Sequence, residues 1–266
     1  MIYRARMNIN KLFRIFFCSA SLLLFFAYLS TASELEISPP VYIAHAGGAI
    51  NNEIYTNSLE ALNSNYEKGH RFFEIDFSWT SDGELVAIHD WEETFQTMFD
   101  VPGDIPVPTK SEFILLKTKT GLTQLSLEDI LKWAEKKGDA FIVTDIKDEN
   151  IKALRKIRLD HKNQSQFVIP QVYSYKEYEE AKKHGYANII LTLYKMKIDP
   201  DKVVNFSKRN SPFAITMHWE VALSGLAYQL HKNGITVYTH TVNDSNIFPS
   251  LRKMGVFGIY TDFLSP

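Results

Sequence analysis

Short apolar runs rich in β-branched and aromatic residues alternate along the chain with longer amphipathic stretches. Residues 41–45, 72–79, 140–146, 167–173, 188–194, 213–218, 236–241 and 256–261 have the length and composition of buried strands. Helical periodicity marks 58–68, 127–137, 149–159, 176–184, 201–208, 221–233 and 244–254. Ser126 with Asp129 three residues later reads as a capping box, and Asp244 opens the last helix. Gly69, Gly138, Gly185, Gly234 and Gly255 stand where helices should stop. Eight β–α units in a chain of this size predict an α/β fold, a (β/α)8 TIM barrel, rather than an open doubly wound sheet. No glycine-rich dinucleotide fingerprint follows the first run, which also disfavours the open sheet. Residues 91–124 have no clear period and contain Pro102, Pro106 and Pro108, so they read as a long loop at the barrel mouth.

Residues 85–89 are left over and form the return arm of a β-hairpin extension after the second strand. Asp82-Gly83 is a strong signal for a two-residue turn. With Ser81 facing Glu84, counting outward sets Asp76 opposite His89, with Cβ atoms roughly 4.5–5.5 Å apart. Glu74 shares the face of Asp76 by strand alternation. Two carboxylates that can hold a hard cation therefore meet an imidazole that can move a proton.

Composition adds compartment and excludes some partners. Arg4, Arg6, Lys11 and Arg14 precede an apolar run over 15–29, and Ser30-Thr31-Ala32 resembles a small-residue cleavage site. Residues 1–32 are read as a secretory signal peptide, with 33–266 as the mature domain, secreted or periplasmic; an uncleaved N-terminal membrane anchor is the alternative. The run is short for a span of about 20 apolar residues, so the mature form has no stable membrane span. The single cysteine, Cys18, lies inside the leader, leaving a mature chain without disulfide or thiolate chemistry. A net charge of −2 offers no general attraction to nucleic acid.

Barrel active sites form at the C-terminal ends of the strands. His45, Glu74 and Asp76, Asp145 and Lys147, His218 and Trp219, and His240 all fall there. Asp145 is the natural third carboxylate, and three acids suit Mg²⁺ or Ca²⁺ better than zinc, which favours histidine or cysteine. Such an ion amid carboxylates suits a phosphoryl oxygen. His45 and His89 can then divide the work of general base and general acid, with Lys147 as a further cation for phosphate. His218, His240, Trp219 and Asn57 are candidates for touching substrate, and Asn57 also for holding the loop after the first strand. His70, His161, His184 and His231 read as surface residues away from the rim.

The chain resembles the glycerophosphodiester phosphodiesterases, within the phosphatidylinositol phospholipase C-like barrels, from Tyr42 to Pro266. His45-Ala46-Gly47 is similar to the family's His-Arg-Gly, and Thr56-Asn57-Ser58-Leu59-Glu60-Ala61 to Glu-Asn-Thr-Leu-Glu-Ala. Glu74-Ile75-Asp76, Thr80-Ser81-Asp82-Gly83 and His89-Asp90 match Glu-x-Asp, Thr-x-Asp-Gly and His-Asp. Asp145-Ile146-Lys147 is similar to Glu-x-Lys, and Thr241-Val242-Asn243 with Thr261-Asp262 match the closing motifs. The resemblance implies His45 and His89 as the catalytic pair and Glu74, Asp76 and Asp145 as ligands of a divalent metal, Mg²⁺ or Ca²⁺. It implies cleavage of a glycerophosphodiester, or of a related lipid-headgroup or cell-envelope diester, to a phosphomonoester and an alcohol. Three departures stand out: Ala46 replaces a phosphate-binding arginine, Thr56 replaces an acid that helps hold the metal, and Asp145 is one methylene shorter than the usual glutamate. A phospholipase-type lyase or phosphotransferase on the same scaffold, or a non-catalytic binding protein with a decayed site, are the alternative readings.

Overall fold

The computed structural model describes residues 37–101 and 105–266; the expected leader and Cys18 lie outside them. The compact unit spans Pro39–Pro266. Its strands are β1 (Tyr42–Ala44), β2 (Phe72–Trp79), β3 (Leu85–Ala87), β4 (Phe141–Asp145), β5 (Val168–Val172), β6 (Ile190–Thr192), β7 (Ala214–His218), β8 (Val237–His240) and β9 (Gly258–Thr261). Eight of them pair in parallel in the order β1-β2-β4-β5-β6-β7-β8-β9, and β9 closes the ring on β1. This is the expected (β/α)8 barrel, with β3 added antiparallel to β2 outside the ring. Among the described residues no helix is long and apolar enough to cross a membrane.

Strand alternation divides the side chains into two sets. Phe73, Ile75, Ile142, Leu191, Ile215, Met217, Val237 and Ile259 pack with helical Leu62, Leu131, Leu154, Val203 and Leu230 in one buried layer. Glu74 and Asp76, the alternate residues of β2, line a cavity inside the ring. Tyr238 is wholly buried, and its hydroxyl donates to the Pro40 carbonyl. A Cβ on Gly258 would come within 2.5 Å of that tyrosine's ring, so the strand beside it has room only for glycine.

The hairpin differs from the expected register by one residue. Phe77 pairs with Ala87, Ser78 with Val86 and Trp79 with Leu85, so the loop holds three residues, Ser81 to Gly83. Thr80 N–H donates to Glu84 O at 2.9 Å, and only Gly83 takes a positive φ, +76°. Asp82 is drawn away from a two-residue turn because its carboxylate accepts the Thr80 hydroxyl at 2.5 Å and the Lys110 N–H at 3.0 Å. The ladder ends at Ala87, so Asp76 does not face His89 across paired strands. The two side chains meet only because the chain leaves the ladder before His89 and turns it to the mouth.

The expected long loop carries structure of its own. Helices Glu93–Met98 and Lys110–Leu115 form within it, the second closed by a Thr109–Glu112 capping box. Phe95, Phe99 and Phe113 bury themselves with Val86 and Ile88 in a small separate core against the hairpin. Two further helices depart from the sequence pattern. The stretch expected over 221–233 runs as Trp219–Val221, a π-helical turn Ala222–Leu226 and Ala227–Lys232, where Gly225 interrupts it at φ +95°. The last helix is only Phe248–Lys253, because Asp244 instead accepts the Asn246 N–H in a local turn.

His70 corrects the surface expectation: it is 2% exposed, between the first barrel helix and β2, with Nε2 bonded to the Leu264 carbonyl at 3.0 Å. Burial depresses its pKa to about 4. The unfolded chain protonates this imidazole below about 6.5 while the fold keeps it neutral. Stability from the site is therefore fully present above pH 6.5 and is lost as pH falls towards 4. His70→Gln is expected to flatten the urea-measured stability profile in that window by about 2–3 kcal/mol relative to wild type. Parallel profiles for the two proteins would show that His70 titrates normally in the fold.

Candidate active site

His45 ends the first strand and opens a tight turn in which Ala46 takes φ +47°. That turn aims the Ala46 N–H at Glu74 Oε2, 2.8 Å away, which fixes one carboxylate of β2 against the backbone of β1. Asn57 fixes the other: its Oδ1 accepts the Asp76 N–H and its Nδ2 donates to Asp76 Oδ2, both at 3.1 Å. Asn57 itself holds φ +46°, a conformation that asparagine tolerates better than most residues. Asp145 ends β4 level with Asp76, its register partner, and accepts the Tyr173 hydroxyl.

Oxygens of Glu74, Asp76 and Asp145 lie within 4.8 Å of one another. Lys147 Nζ is 3.2 Å from both Asp76 Oδ1 and Asp145 Oδ2. Burial and the Asp76 charge push the Glu74 and Asp145 carboxyls up. Burial opposes charging of Lys147, but Asp76, Asp145 and Glu74 together push its pKa well above the usual range. One ammonium thus contacts two of three clustered carboxylates, and three carboxyl groups this close can share a hard cation. The donor set is all oxygen, as Mg²⁺ or Ca²⁺ requires.

Both histidines of the expected pair are clamped at Nδ1. His45 Nδ1–H donates to Asp262 at 2.8 Å, and His89 Nδ1–H donates to Asp90 at 2.6 Å. Each Nε2 is then the nitrogen left for chemistry. Burial disfavours charging of His45, yet the Asp262 hydrogen bond and the fields of Glu74 and Asp76 outweigh it and push the pKa up to about 9. Asp262 is steadied by Asn243, which donates from Nδ2 at 2.7 Å and accepts the Asp262 N–H at 2.8 Å. Asp90, although burial alone would raise its pKa, is held down to about 2 by Thr94 and His89.

These groups open on one cavity of about 170 Å³, lined by His45, Glu74, Asp76, His89, Asp145, Lys147 and His240 among others. His240 ends β8 with its pKa depressed to about 4 by burial and by the charges of His45 and His218. Asn57 stands behind Asp76 rather than on the cavity wall. His218 and Trp219 do not line the cavity; they continue from it outward. Ring centres step from Tyr194 to His240 (6.4 Å), to His218 (6.1 Å) and to Trp219 (5.6 Å).

Several lining residues escaped the sequence reading: Tyr55, Gln171, Tyr173, Thr192, Tyr194 and Tyr260, while Thr241 lines the cavity from a motif already singled out. Gln171, Tyr173, Thr192 and Tyr194 occupy alternate positions at strand ends, a signal that marks the face but not the role. Tyr55 lies in an irregular loop and gave no signal. Thr56 is buried with its hydroxyl 3.0 Å from Ser58 Oγ, while Glu53 accepts the Thr120 hydroxyl at 3.1 Å. Neither adds a fourth carboxylate to the cluster.

The sequence pattern of the glycerophosphoryl diester phosphodiesterase family matches residues 45–265. The chain belongs to this family. It is therefore a phosphoric diester hydrolase by descent, and the histidines and acids above lie at the mouth of a family barrel. Solved structures share the fold at low identity. A glycerophosphodiester phosphodiesterase from Thermotoga maritima is 20% identical with a TM-score of 0.67, over 85% of this chain and 96% of that one. A protein from Galdieria sulphuraria is 16% identical with a TM-score of 0.70, over 86% of this chain and 96% of that one. An Oleispira antarctica phosphodiesterase, in complex with the product sn-glycerol-3-phosphate, is 17% identical with a TM-score of 0.65, over 84% and 93%.

The two clamping carboxylates are expected to matter for turnover. Asp262→Asn and Asp90→Asn each free an imidazole to adopt the wrong tautomer, and each should lower kcat by about 100-fold or more with the fold intact. Steady-state kinetics beside thermal melts check this; full turnover in either variant would mean that its histidine needs no clamp.

Proposed function

We propose that the protein is a divalent-metal-dependent glycerophosphodiester phosphodiesterase in which His45 and His89 carry protons. The observation that carries the reading is the pair of Nδ1-clamped imidazoles facing one cavity with three converging carboxylates. Glu74, Asp76 and Asp145 would hold Mg²⁺ or Ca²⁺, which when bound offsets the repulsion between these acids and an anionic diester. Lys147, already inside the cluster, adds a positive charge for the phosphoryl oxygens.

Proton traffic follows from the chain's own groups. An imidazole with unprotonated Nε2 takes the proton of the attacking hydroxyl as its oxygen bonds phosphorus. The other imidazole, protonated, gives its Nε2 proton to the departing alkoxide as the phosphorus–oxygen bond breaks. If a hydroxyl adjacent to the scissile phosphate attacks first, a cyclic phosphate forms and the alcohol leaves. Water then opens the ring with the two imidazoles in exchanged roles, leaving a phosphomonoester. Substrates of this kind include glycerophosphodiesters and related headgroup diesters. The same reading includes export, with 1–32 as a signal peptide and a secreted or periplasmic product. It includes a small-molecule or lipid-derived diester as the partner and no nucleic acid.

Chelation of divalent ions is expected to abolish hydrolysis of a glycerophosphodiester, and added Mg²⁺ or Ca²⁺ to restore it. His89→Ala should lower kcat by roughly 100–10,000-fold, the range for one general acid or base. Phosphorus NMR of the wild-type reaction should end on a phosphomonoester. A lasting cyclic phosphate would instead indicate a lyase, and undiminished turnover after thorough chelation would exclude the metal.

A further inference from the structure

Among the described residues, Tyr55 is the one whose aromatic ring pairs with both His45 and His89. Its ring lies edge-on to His45 with centres 4.8 Å apart and edge-on to His89 with centres 5.2 Å apart. The interplanar angles are 79° and 80°, so one phenyl ring sets the spacing of both imidazoles. Tyr55 reaches this place from an irregular loop, at φ +59°, a left-handed conformation that bulky residues rarely adopt. Neighbouring Asn51, Asn52 and Asn57 are also left-handed, so the loop is contorted along most of its length. Contortion of that kind around a cavity wall calls for a functional reading.

The phenol end supplies it. Tyr55 lines the cavity together with His45, Glu74, Asp76, His89 and Lys147, which places it among the reacting groups rather than behind them. Among the described residues no protein acceptor takes its proton, although Tyr173 and Tyr260 in the same cavity donate to Asp145 and Gln171. A neutral hydroxyl pointed into such a cavity offers one hydrogen bond to whatever oxygen arrives. The carboxylates lining the same cavity are acceptors and donate no hydrogen bond to an anion. Ala46, next to His45, is wholly buried, and its N–H is committed to Glu74. The donors on this cavity for a phosphoryl oxygen include Lys147, beside His45, and the Tyr55 phenol, with Thr192, Tyr194, Thr241 and His240 on the rest of the wall.

We propose that Tyr55 is a catalytic residue: its hydroxyl donates a hydrogen bond to a non-bridging oxygen of the phosphate held between His45 and His89. The proposal rests on the phosphodiesterase reading for its kinetics but not for its binding. No covalent step involves the phenol, which keeps its proton throughout. A donor aimed where charge builds up strengthens as the phosphorane-like transition state forms, so its removal acts on kcat more than on KM.

Tyr55→Phe isolates the hydroxyl because it keeps the ring that spaces the imidazoles; Tyr55→Ala removes both. Kinetics with a glycerophosphodiester and saturating Mg²⁺ or Ca²⁺ should show kcat lowered about 10–100-fold in Tyr55→Phe, with KM changed by less than about threefold and an unchanged melting temperature. Titration of metal-loaded protein with inorganic phosphate should show affinity about fivefold or more weaker in Tyr55→Phe than in wild type. Wild-type kcat and phosphate affinity in Tyr55→Phe, with losses confined to Tyr55→Ala, would overturn the proposal and leave Tyr55 as a spacer of rings. If the wild-type protein hydrolyses no diester, the functional reading fails, and the phosphate titration alone then decides for or against the phenol.

Discussion

Three carboxylates brought together under one lysine at the mouth of the barrel are the constraint on which the site depends. Like charges this close repel, and burial removes the water that would screen them. Only an enforced geometry keeps them in place. Glu74 is pinned by a backbone N–H from β1, Asp76 by both ends of the Asn57 amide, and Asp145 by Tyr173 and the register of β4 on β2. The closed sheet makes these anchors rigid, because no strand of the ring can shift its register without disturbing its neighbours.

The histidines obey a second constraint. Their imidazoles stand on separate segments, one at the end of β1 and one just beyond the short strand of the hairpin, yet each has a carboxylate on Nδ1. Asp262 comes from the last strand's end and Asp90 from the residue next in sequence. The same tautomer thus arises from two unrelated local structures, and Tyr55 fills the gap between the rings. Rigid backing on both sides fixes the position of each free Nε2 relative to the cavity.

Much of this was legible in the chain. The alternation of buried runs and amphipathic stretches is the imprint of strands that face helices on one side, so the eight-unit barrel could be read directly. Glu74, Asp76, Asp145, Lys147, His45 and His89 stood out because strand ends at a barrel mouth are few and ionisable groups there are costly without a purpose. The hairpin register was read one residue out, since Asp82 binds Thr80 and Lys110 through its side chain and only Gly83 needs the left-handed region. The convergence of Asp76 and His89 therefore rests on the exit of the chain after Ile88, which no pairing rule contains. The small core of Phe95, Phe99 and Phe113 was hidden because its two helices are too short to show a period. Tyr55 was hidden for a different reason: its position follows from a loop held in left-handed conformations by tertiary contacts, not from any local propensity.

The central claim is that the acid cluster is a cation site of the folded protein. Thermal unfolding of the metal-free chain across a series of Mg²⁺ and Ca²⁺ concentrations tests it most directly, since a ligand bound only by the native state stabilises it in proportion to RT ln(1 + [L]/Kd). The account requires a saturable rise in melting temperature with at least one of the two ions, and its disappearance in Asp76→Asn. An identical melting temperature from zero to about 100 times a micromolar-to-millimolar Kd, where about 2.7 kcal/mol should appear, would contradict it.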